Sequence, residues 1–173
     1  MIVISDTNIL SSFAAAEALP LLLRLFQHQK IHIPPTVHRE LSLGLDRGRT
    51  YLAPVLQAIS HDQIAVTELS PQEQLVLEAY PRKLNLGERE AIALAQSRQV
   101  LLLSNDQRAV RFCQQQAIET LDLPQILRAL WLRRLVTPPE VEQIITRMAQ
   151  VENLVLSEAD HTRVFAPNRR RRK

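Results

Sequence analysis

Two aspartates, Asp6 and Asp106, follow apolar runs that are typical of buried β-strands, residues 1–5 and 100–103. Ligands of open α/β sheets bind beyond the carboxyl ends of the strands, so two acids at such ends can meet at one rim. Aspartate is also a common helix N-cap, and capping alone is the competing explanation for both residues. The pattern therefore indicates a shared acidic site without yet establishing one.

Glutamates on two predicted helices can add to this rim. Glu40 neighbours the apolar stripe of its helix, so it can face inward beside the core. In a later helix Glu90 lies four residues before Leu94 and on the same face, beside small alanines, whereas Glu88 lies about 200° further round. This spacing favours Glu90, although the first helical turn leaves room for Glu88 to approach.

Three or four carboxylates at one rim repel one another, and burial raises their pKa unless a cation neutralises them. An all-oxygen site suits a hard divalent ion such as Mg²⁺ or Mn²⁺. Such an ion can activate a water molecule and neutralise charge on a phosphate, which is metal-assisted phosphodiester hydrolysis. The residues therefore predict a metal site, and they leave the substrate open.

Short β-like runs alternate with longer helical ones, which predicts an α/β fold with a central, mainly parallel sheet flanked by helices. One predicted helix, residues 47–60, contains Pro54 as a weak point. Another begins at a capping box formed by Ser70 and Glu73. The predicted strands are residues 1–5, 31–33, 64–66, 100–103 and 117–120.

Four segments, Val3–Asn8, Val37–Leu41, Leu86–Ala95 and Leu102–Asp106, together carry a resemblance to a known family. In their order and spacing over residues 1–135 they resemble the PIN-domain family, in particular its prokaryotic branch with a G-E-x-E-A-I-x-L-A helix, related to VapC-like ribonuclease toxins. The resemblance implies a three-layer α/β fold of PIN type. It also implies a Mg²⁺- or Mn²⁺-dependent ribonuclease with an acidic quartet that acts on RNA.

By position in these motifs, the resemblance implies Asp6, Glu40 and Asp106 as the first, second and last catalytic and metal-binding acids. The family's third acid directly precedes an alanine-rich helical segment, which matches Glu90, with Glu88 as the alternative. Small polar residues that the motifs place beside the first and last acids, and that we expect to support them, are Thr7, Asn8 and Ser104.

The 173 residues suit one domain, with a PIN-like nuclease domain over residues 1–135 and a C-terminal helix and tail, residues 136–173, appended to it. Five of the 21 basic residues form the final run, so residues 1–168 hold 16 basic and 18 acidic side chains. Such a tail can bind RNA phosphates by releasing counterions, or it can be a solubilising end. Its residues are Arg169, Arg170, Arg171, Arg172 and Lys173.

Composition excludes several other classes of protein. The single cysteine, Cys113, excludes an internal disulfide framework, and three glycines are too few for a Gly-rich phosphate loop. No apolar run approaches the roughly 20 residues of a membrane span, and Asp6 interrupts the only apolar run at the start, so no signal peptide is predicted. We therefore expect a cytoplasmic protein without a membrane partner.

Two alternatives to a nuclease have different standing. A phosphatase of the haloacid dehalogenase type is disfavoured, because its second acid would stand two residues after Asp6, where this chain has Asn8. A catalytically silent PIN-like module that binds nucleic acid or protein stays open.

The sequence also bears on partners. We predict a homodimer, because a late helix carries a broad apolar stripe. If the protein is the toxin of a toxin–antitoxin pair, a small antitoxin protein is a further partner. The stripe comprises Leu127, Leu130, Trp131, Leu132 and Leu135.

Overall fold

Five short strands form one sheet in the order β3-β2-β1-β4-β5, and every neighbouring pair is parallel. The structure is a computed structural model that describes residues 2–166, so the basic run Arg169–Lys173 lies outside the described residues. The predicted α/β fold with a parallel sheet flanked by helices is confirmed. The strands are β1 Ile2–Ser5, β2 Lys30–Ile33, β3 Ile64–Val66, β4 Leu101–Leu103 and β5 Thr120–Leu121.

Helices connect the strands, as parallel pairing requires. Short 3₁₀ turns at Thr50–Leu52 and Leu77–Ala79 supplement them. The α-helices are α1 Thr7–Ala15, α2 Leu19–Leu25, α3 Pro35–Asp46, α4 Ala53–Ser60, α5 Pro71–Val76, α6 Leu86–Arg98, α7 Gln107–Gln115, α8 Leu123–Leu132, α9 Pro138–Glu152 and α10 Glu158–Phe165. In residues 2–166, no helix is both long and apolar enough to cross a membrane.

Side chains of successive strand residues enter cores on opposite faces of the sheet. Val3 and Leu103 belong to the core with α1, α8 and α9, whereas Ile4 and Leu102 belong to the core with α6 and α7. Both faces are therefore covered, which explains why β1 and β4 are continuous apolar runs, whereas β2 alternates polar and apolar residues.

The central strand β1 pairs with β2 on one side and with β4 on the other. The chain thus moves from β1 towards one edge and returns to the other edge through β4, which makes the crevice between β1 and β4 a topological switch point. In open α/β sheets this is where ligands bind, beyond the carboxyl ends of the strands. Asp6 and Asp106 follow these two strands.

The last two helices pack on the same core as the sheet. Val141, Ile144 and Met148 of α9 and Val164 of α10 are buried within the cluster that contains Val3. Residues 138–165 therefore complete the hydrophobic core on that side.

The apolar stripe of α8 does not form an open face. Leu127 and Leu130 are fully buried, and α10 packs along α8. The indole N–H of Trp131 donates to the carbonyl oxygen of Val164 at 2.8 Å. Much of the broad stripe from which we predicted a homodimer is thus covered within the chain, by the core and by α10.

Pro54 begins a helix rather than weakening one. Gly48, with a φ of +90°, follows the end of α3, and the 3₁₀ turn Thr50–Leu52 leads into α4. Pro54 lies in the first turn of α4, where its missing N–H has no intrahelical partner to lose. The continuous helix predicted over residues 47–60 is therefore wrong at its start.

The predicted capping box at the start of α5 is present and has a further partner. Ser70 accepts a hydrogen bond from the N–H of Glu73, whose carboxylate accepts one from the N–H of Ser70. That carboxylate also accepts hydrogen bonds from Ser97 and from both Nε and Nη2 of Arg98, at 2.9 and 3.1 Å. These bonds, with Arg98 first among them, lower the pKa of Glu73 to about 2.

Arg98→Ala leaves the buried Glu73 carboxylate without its cation, so we expect the free energy of unfolding at pH 7 to fall by about 2–4 kcal/mol. Because the pKa of Glu73 is lower in the folded state than its ordinary value of 4.5, its contribution is present above pH 4.5 and is lost as the pH falls towards 2. Urea unfolding of wild type and variant between pH 2 and 7 measures both effects.

Lys30→Ala is the matched control, since Lys30 pairs with Asp62, whose side chain is 83% exposed. We expect that variant to lose less than about 1 kcal/mol. Equal losses in the two variants would contradict the stabilising role of the Glu73–Arg98 pair.

Candidate active site

Asp6 is a buried carboxylate at the switch point. It follows β1, caps α1 by accepting from the N–H of Ile9 at 3.0 Å, and is only 3% exposed. Its second oxygen accepts from the hydroxyl of Ser104 at 2.6 Å, across the crevice between β1 and β4. Burial raises the pKa of Asp6 to about 6, although both hydrogen bonds act in the opposite direction. Capping of α1 accounts for the hydrogen bond to one carboxylate oxygen of Asp6, but it does not account for the free-energy cost of burying the charge.

Asp106 lies at the equivalent end of β4 and is half-buried. Its carboxylate caps α7 by accepting from the N–H groups of Arg108 and Ala109, at 2.8 and 2.9 Å. Its negative charge contributes to the raised pKa values of both Asp6 and Glu88. Asp106 is therefore a helix cap that also belongs to the electrostatic environment of the crevice.

Glu40 reaches the crevice from α3. Its carboxylate accepts a hydrogen bond from the hydroxyl of Thr7, the residue after Asp6. A Cβ atom at Gly87 would lie 3.2 and 3.3 Å from the two carboxylate oxygens of Glu40. Glycine therefore permits the close approach of α6 to Glu40, and this contact brings α3 and α6 together at the site.

Glu88 lies on the cavity side of α6 and is 9% exposed. It forms a capping box with Asn85: the N–H of Asn85 donates to the Glu88 carboxylate at 2.9 Å, and the Asn85 side chain accepts from the N–H of Glu88 at 2.8 Å. Burial raises the pKa of Glu88, and the hydrogen bond from Asn85 opposes that effect. The charges of Asp106, Asp6 and Glu40 raise this pKa further, so Glu88 interacts with all three other acids.

Glu90 has a different position from the one that its helix face predicted. Its carboxylate accepts from the N–H and the hydroxyl of Thr36, at 3.1 and 2.8 Å. Thr36 lies in the first turn of α3, where Pro34 and Pro35 provide no side-chain cap. Glu90 thus caps α3 from a neighbouring helix, and it does not line the crevice with Asp6, Glu40 and Glu88.

A cavity of about 260 Å³ lies between these elements. Three carboxylates line it, those of Asp6, Glu40 and Glu88, together with the predicted supporting residues Thr7 and Asn8. Ser104 lies beneath it, 1% exposed, and donates to Asp6. Two arginines that the sequence analysis did not single out, Arg47 and Arg49, stand at its edge.

The donor set of this cavity fits a hard divalent ion. Its acidic ligands are oxygen atoms only. Burial raises the pKa values of Asp6 and Glu88, the neighbouring acids raise them further, and a bound cation would offset both effects. Within residues 2–166, no three His, Cys, Asp or Glu side chains converge closely enough to form a ready metal site. Each carboxylate instead faces a protein donor: Ser104 for Asp6, Thr7 for Glu40 and the Asn85 backbone for Glu88.

The sequence contains a signal for the position of Glu88 but none for the positions of Arg47 and Arg49. The Asn85-x-x-Glu88 spacing is a capping-box pattern, and it would have placed Glu88 in the first turn of α6 with its side chain turned back towards the helix start. Arg47 and Arg49 had no such signal, because only the turn at Gly48 brings this segment to the cavity.

Asp6→Asn removes the carboxylate and keeps an acceptor for the N–H of Ile9. Because the pKa of Asp6 is higher in the folded state, wild type loses stability as the pH rises from about 4 to about 6, and the full cost of about 3 kcal/mol remains above that pH. We expect the variant to gain about 1–3 kcal/mol of unfolding free energy at pH 7.5 without divalent ions, and little at pH 4. Urea unfolding at both pH values measures this.

Asp46→Asn, which removes an exposed carboxylate at the end of α3, is the control and should change stability little at either pH. If Asp6→Asn gains as much unfolding free energy at pH 4 as at pH 7.5, the burial of the Asp6 charge is not the cause of the gain.

Comparison of the sequence with known protein families gives a match. The sequence profile of a PIN-domain family matches residues 2–166, which include α9 and α10. No curated protein matches the chain significantly. PIN domains are usually nucleases, they generally use divalent metals, and their substrates are nucleic acids. Since the profile spans nearly all of the chain, this protein belongs to the PIN-domain family.

Proposed function

We propose that the protein is a Mg²⁺- or Mn²⁺-dependent endoribonuclease whose site is the cavity between β1, α3 and α6. The observation that carries the proposal is the Asp6 carboxylate, buried to 3% exposure at the switch point with its pKa raised to about 6, beside the carboxylates of Glu40 and Glu88. Helix capping alone does not require a buried charge, because asparagine or serine can cap a helix without one.

Asp6, Glu40, Glu88 and Asp106 would hold the divalent ion in this proposal. When bound, such an ion supplies an activated water molecule and neutralises charge on the scissile phosphate. Ser104 fixes the orientation of Asp6, and Thr7 fixes that of Glu40, so both carboxylates are positioned before any ligand arrives. Glu90 keeps a positioning role through α3, whose first turn it caps.

Asp6→Asn and Asp106→Asn should each abolish cleavage of a mixed RNA pool in Mg²⁺ or Mn²⁺, as EDTA should for wild type. Glu88→Gln should also abolish cleavage, because it removes a carboxylate that lines the cavity. Glu90→Gln should lower the cleavage rate less and should instead reduce thermal stability, because it weakens the cap on Thr36. Gel analysis of the cleavage products and thermal unfolding measure the two effects.

Titration with Mn²⁺ separates the nuclease from a silent binding module. We expect binding that weakens in Asp6→Asn and Glu88→Gln and persists in Glu90→Gln. The silent module is favoured by one observation, that the carboxylates face protein donors rather than one another. Binding of RNA without cleavage in either metal would decide for that alternative.

We further propose membership of the VapC-like branch, because the chain carries the Gly87-Glu88-x-Glu90 motif and the first two residues of that motif lie at the site. A small antitoxin protein would then be a partner. Contact of the Arg169–Lys173 run with RNA also remains a proposal, supported by the mildly acidic balance of residues 1–168.

We retain the homodimer as a prediction, although its support from the α8 stripe is reduced because α10 packs along α8. Light scattering at micromolar concentration should give a mass of about 40 kDa, twice the chain mass of 19.8 kDa. A mass that stays at the value for one chain would contradict it.

A further inference from the structure

The acidic cavity is one end of a longer groove along the carboxyl edge of the sheet. It shares Thr7, Asn8 and Arg49 with a neighbouring hollow of about 470 Å³ that α1 and the end of α9 enclose. That hollow in turn shares Asn105 and Leu154 with a third, of about 460 Å³, beside α7. The shared residues place the three hollows next to one another past the N-terminus of α1.

Two arginines stand at the acidic end of this groove. Arg47 and Arg49 flank Gly48, whose φ of +90° turns the chain after α3. The backbone holds both residues in place: the N–H of Arg47 donates to Leu43 at 3.1 Å, and that of Arg49 donates to Gly44 at 3.0 Å. Both side chains are exposed, and neither forms an ion pair with a residue in the range 2–166.

The absence of an ion pair within this range is informative because acids are close by. Glu40 lines the same cavity as both arginines, yet its carboxylate accepts from Thr7 instead. At the other end of the groove, Arg163 is held by Asp122 and Asp160, at 2.6 and 2.8 Å. The guanidinium groups at the acidic end are thus available to an anion, whereas Arg163 is already neutralised.

We propose that Arg47 and Arg49 bind consecutive phosphates of single-stranded RNA next to the bond that lies in the acidic cavity, and that the strand continues along the groove towards α7. This inference rests on the proposed nuclease function, since it takes RNA as the ligand. A guanidinium can donate two parallel hydrogen bonds to one phosphate, which fixes its position as well as its charge. The pair offsets the repulsion that the carboxylates exert on the RNA backbone.

Single-stranded RNA fits the groove better than a duplex does. Asp6 forms the floor of the cavity and is only 3% exposed, so the phosphate at the reacting bond must enter the recess. A flexible single strand can bend into it while a basic edge follows its backbone. A stiff duplex would have to present that phosphate without bending.

The test measures binding separately from cleavage, with Asp6→Asn present in every protein and the full chain used throughout. Fluorescence anisotropy of a labelled single-stranded RNA is recorded over a salt series for Arg47→Ala/Arg49→Ala and its parent. Each lost phosphate contact on a single strand should reduce the log–log salt slope by about 0.7, so we expect a loss of about 1.4. At low salt the affinity should fall by about tenfold or more.

Arg24→Ala/Arg133→Ala is the matched control, because it removes two exposed arginines that lie outside the three hollows and changes the net charge equally. Its salt slope should equal that of the parent. Arg47→Lys/Arg49→Lys keeps the charge and should retain most of the slope. If the alanine pair does not fold, Arg47→Gln/Arg49→Gln replaces it.

The outcomes separate this inference from the proposed function. Equal salt slopes for the arginine pair and the control overturn the inference, even if wild type cleaves RNA. A reduced slope with no cleavage by wild type in Mg²⁺ or Mn²⁺ refutes the nuclease and leaves a groove that binds RNA. If the protein with Asp6 intact cleaves RNA, replacing Arg47 and Arg49 in that protein should raise KM and leave kcat little changed. Equal loss of duplex and single-strand binding would contradict the preference for a single strand.

Discussion

The burial of one carboxylate between two strand ends is the constraint on which the rest of this structure depends. Asp6 accepts from the hydroxyl of Ser104, and its own N–H donates to Leu103 at 3.1 Å, so the ends of β1 and β4 are joined through both backbone and side chain. A charge so placed costs stability. Cores on both faces of the sheet offset that cost, and the helices that form those cores also carry the other acids.

Contacts between helices, rather than within them, position these acids. Thr7 on α1 orients Glu40 on α3, Gly87 on α6 allows Glu40 to approach, and Glu90 on α6 caps the first turn of α3. Two of these contacts are made by threonine hydroxyls, those of Thr7 and Thr36, and the third depends on the absence of a side chain at Gly87. The site is therefore sensitive to how α3 and α6 sit together, and Glu90 affects it through packing instead of touching a ligand.

The sequence was sufficient for the parallel sheet, because continuous apolar runs separated by helical segments allow few other arrangements. It also indicated which strand ends carry acids. The helix face of Glu90 predicted that its side chain would enter the cavity, but a half-buried helix face can equally well contact another helix. The start of α3 at Pro35 has no cap of its own, and Glu90 binds there. The stripe around Trp131 misled for a related reason: sequence periodicity shows that a face is buried, and it does not show that α10 of the same chain covers it.

The carboxylate of Glu152, at the end of α9, accepts hydrogen bonds from Ser11, from Ser12 at 2.9 Å and from Tyr51 at 3.1 Å. These contacts join residues about 100 to 140 positions apart, and they form one wall of the middle hollow of the groove. During synthesis, α1 and its hydroxyls leave the ribosome long before their partner does. Closing so long a loop is slow and comes late in folding. A newly made chain therefore carries Asp6 well before the wall beside it can form, because that wall waits for Glu152 to be synthesised.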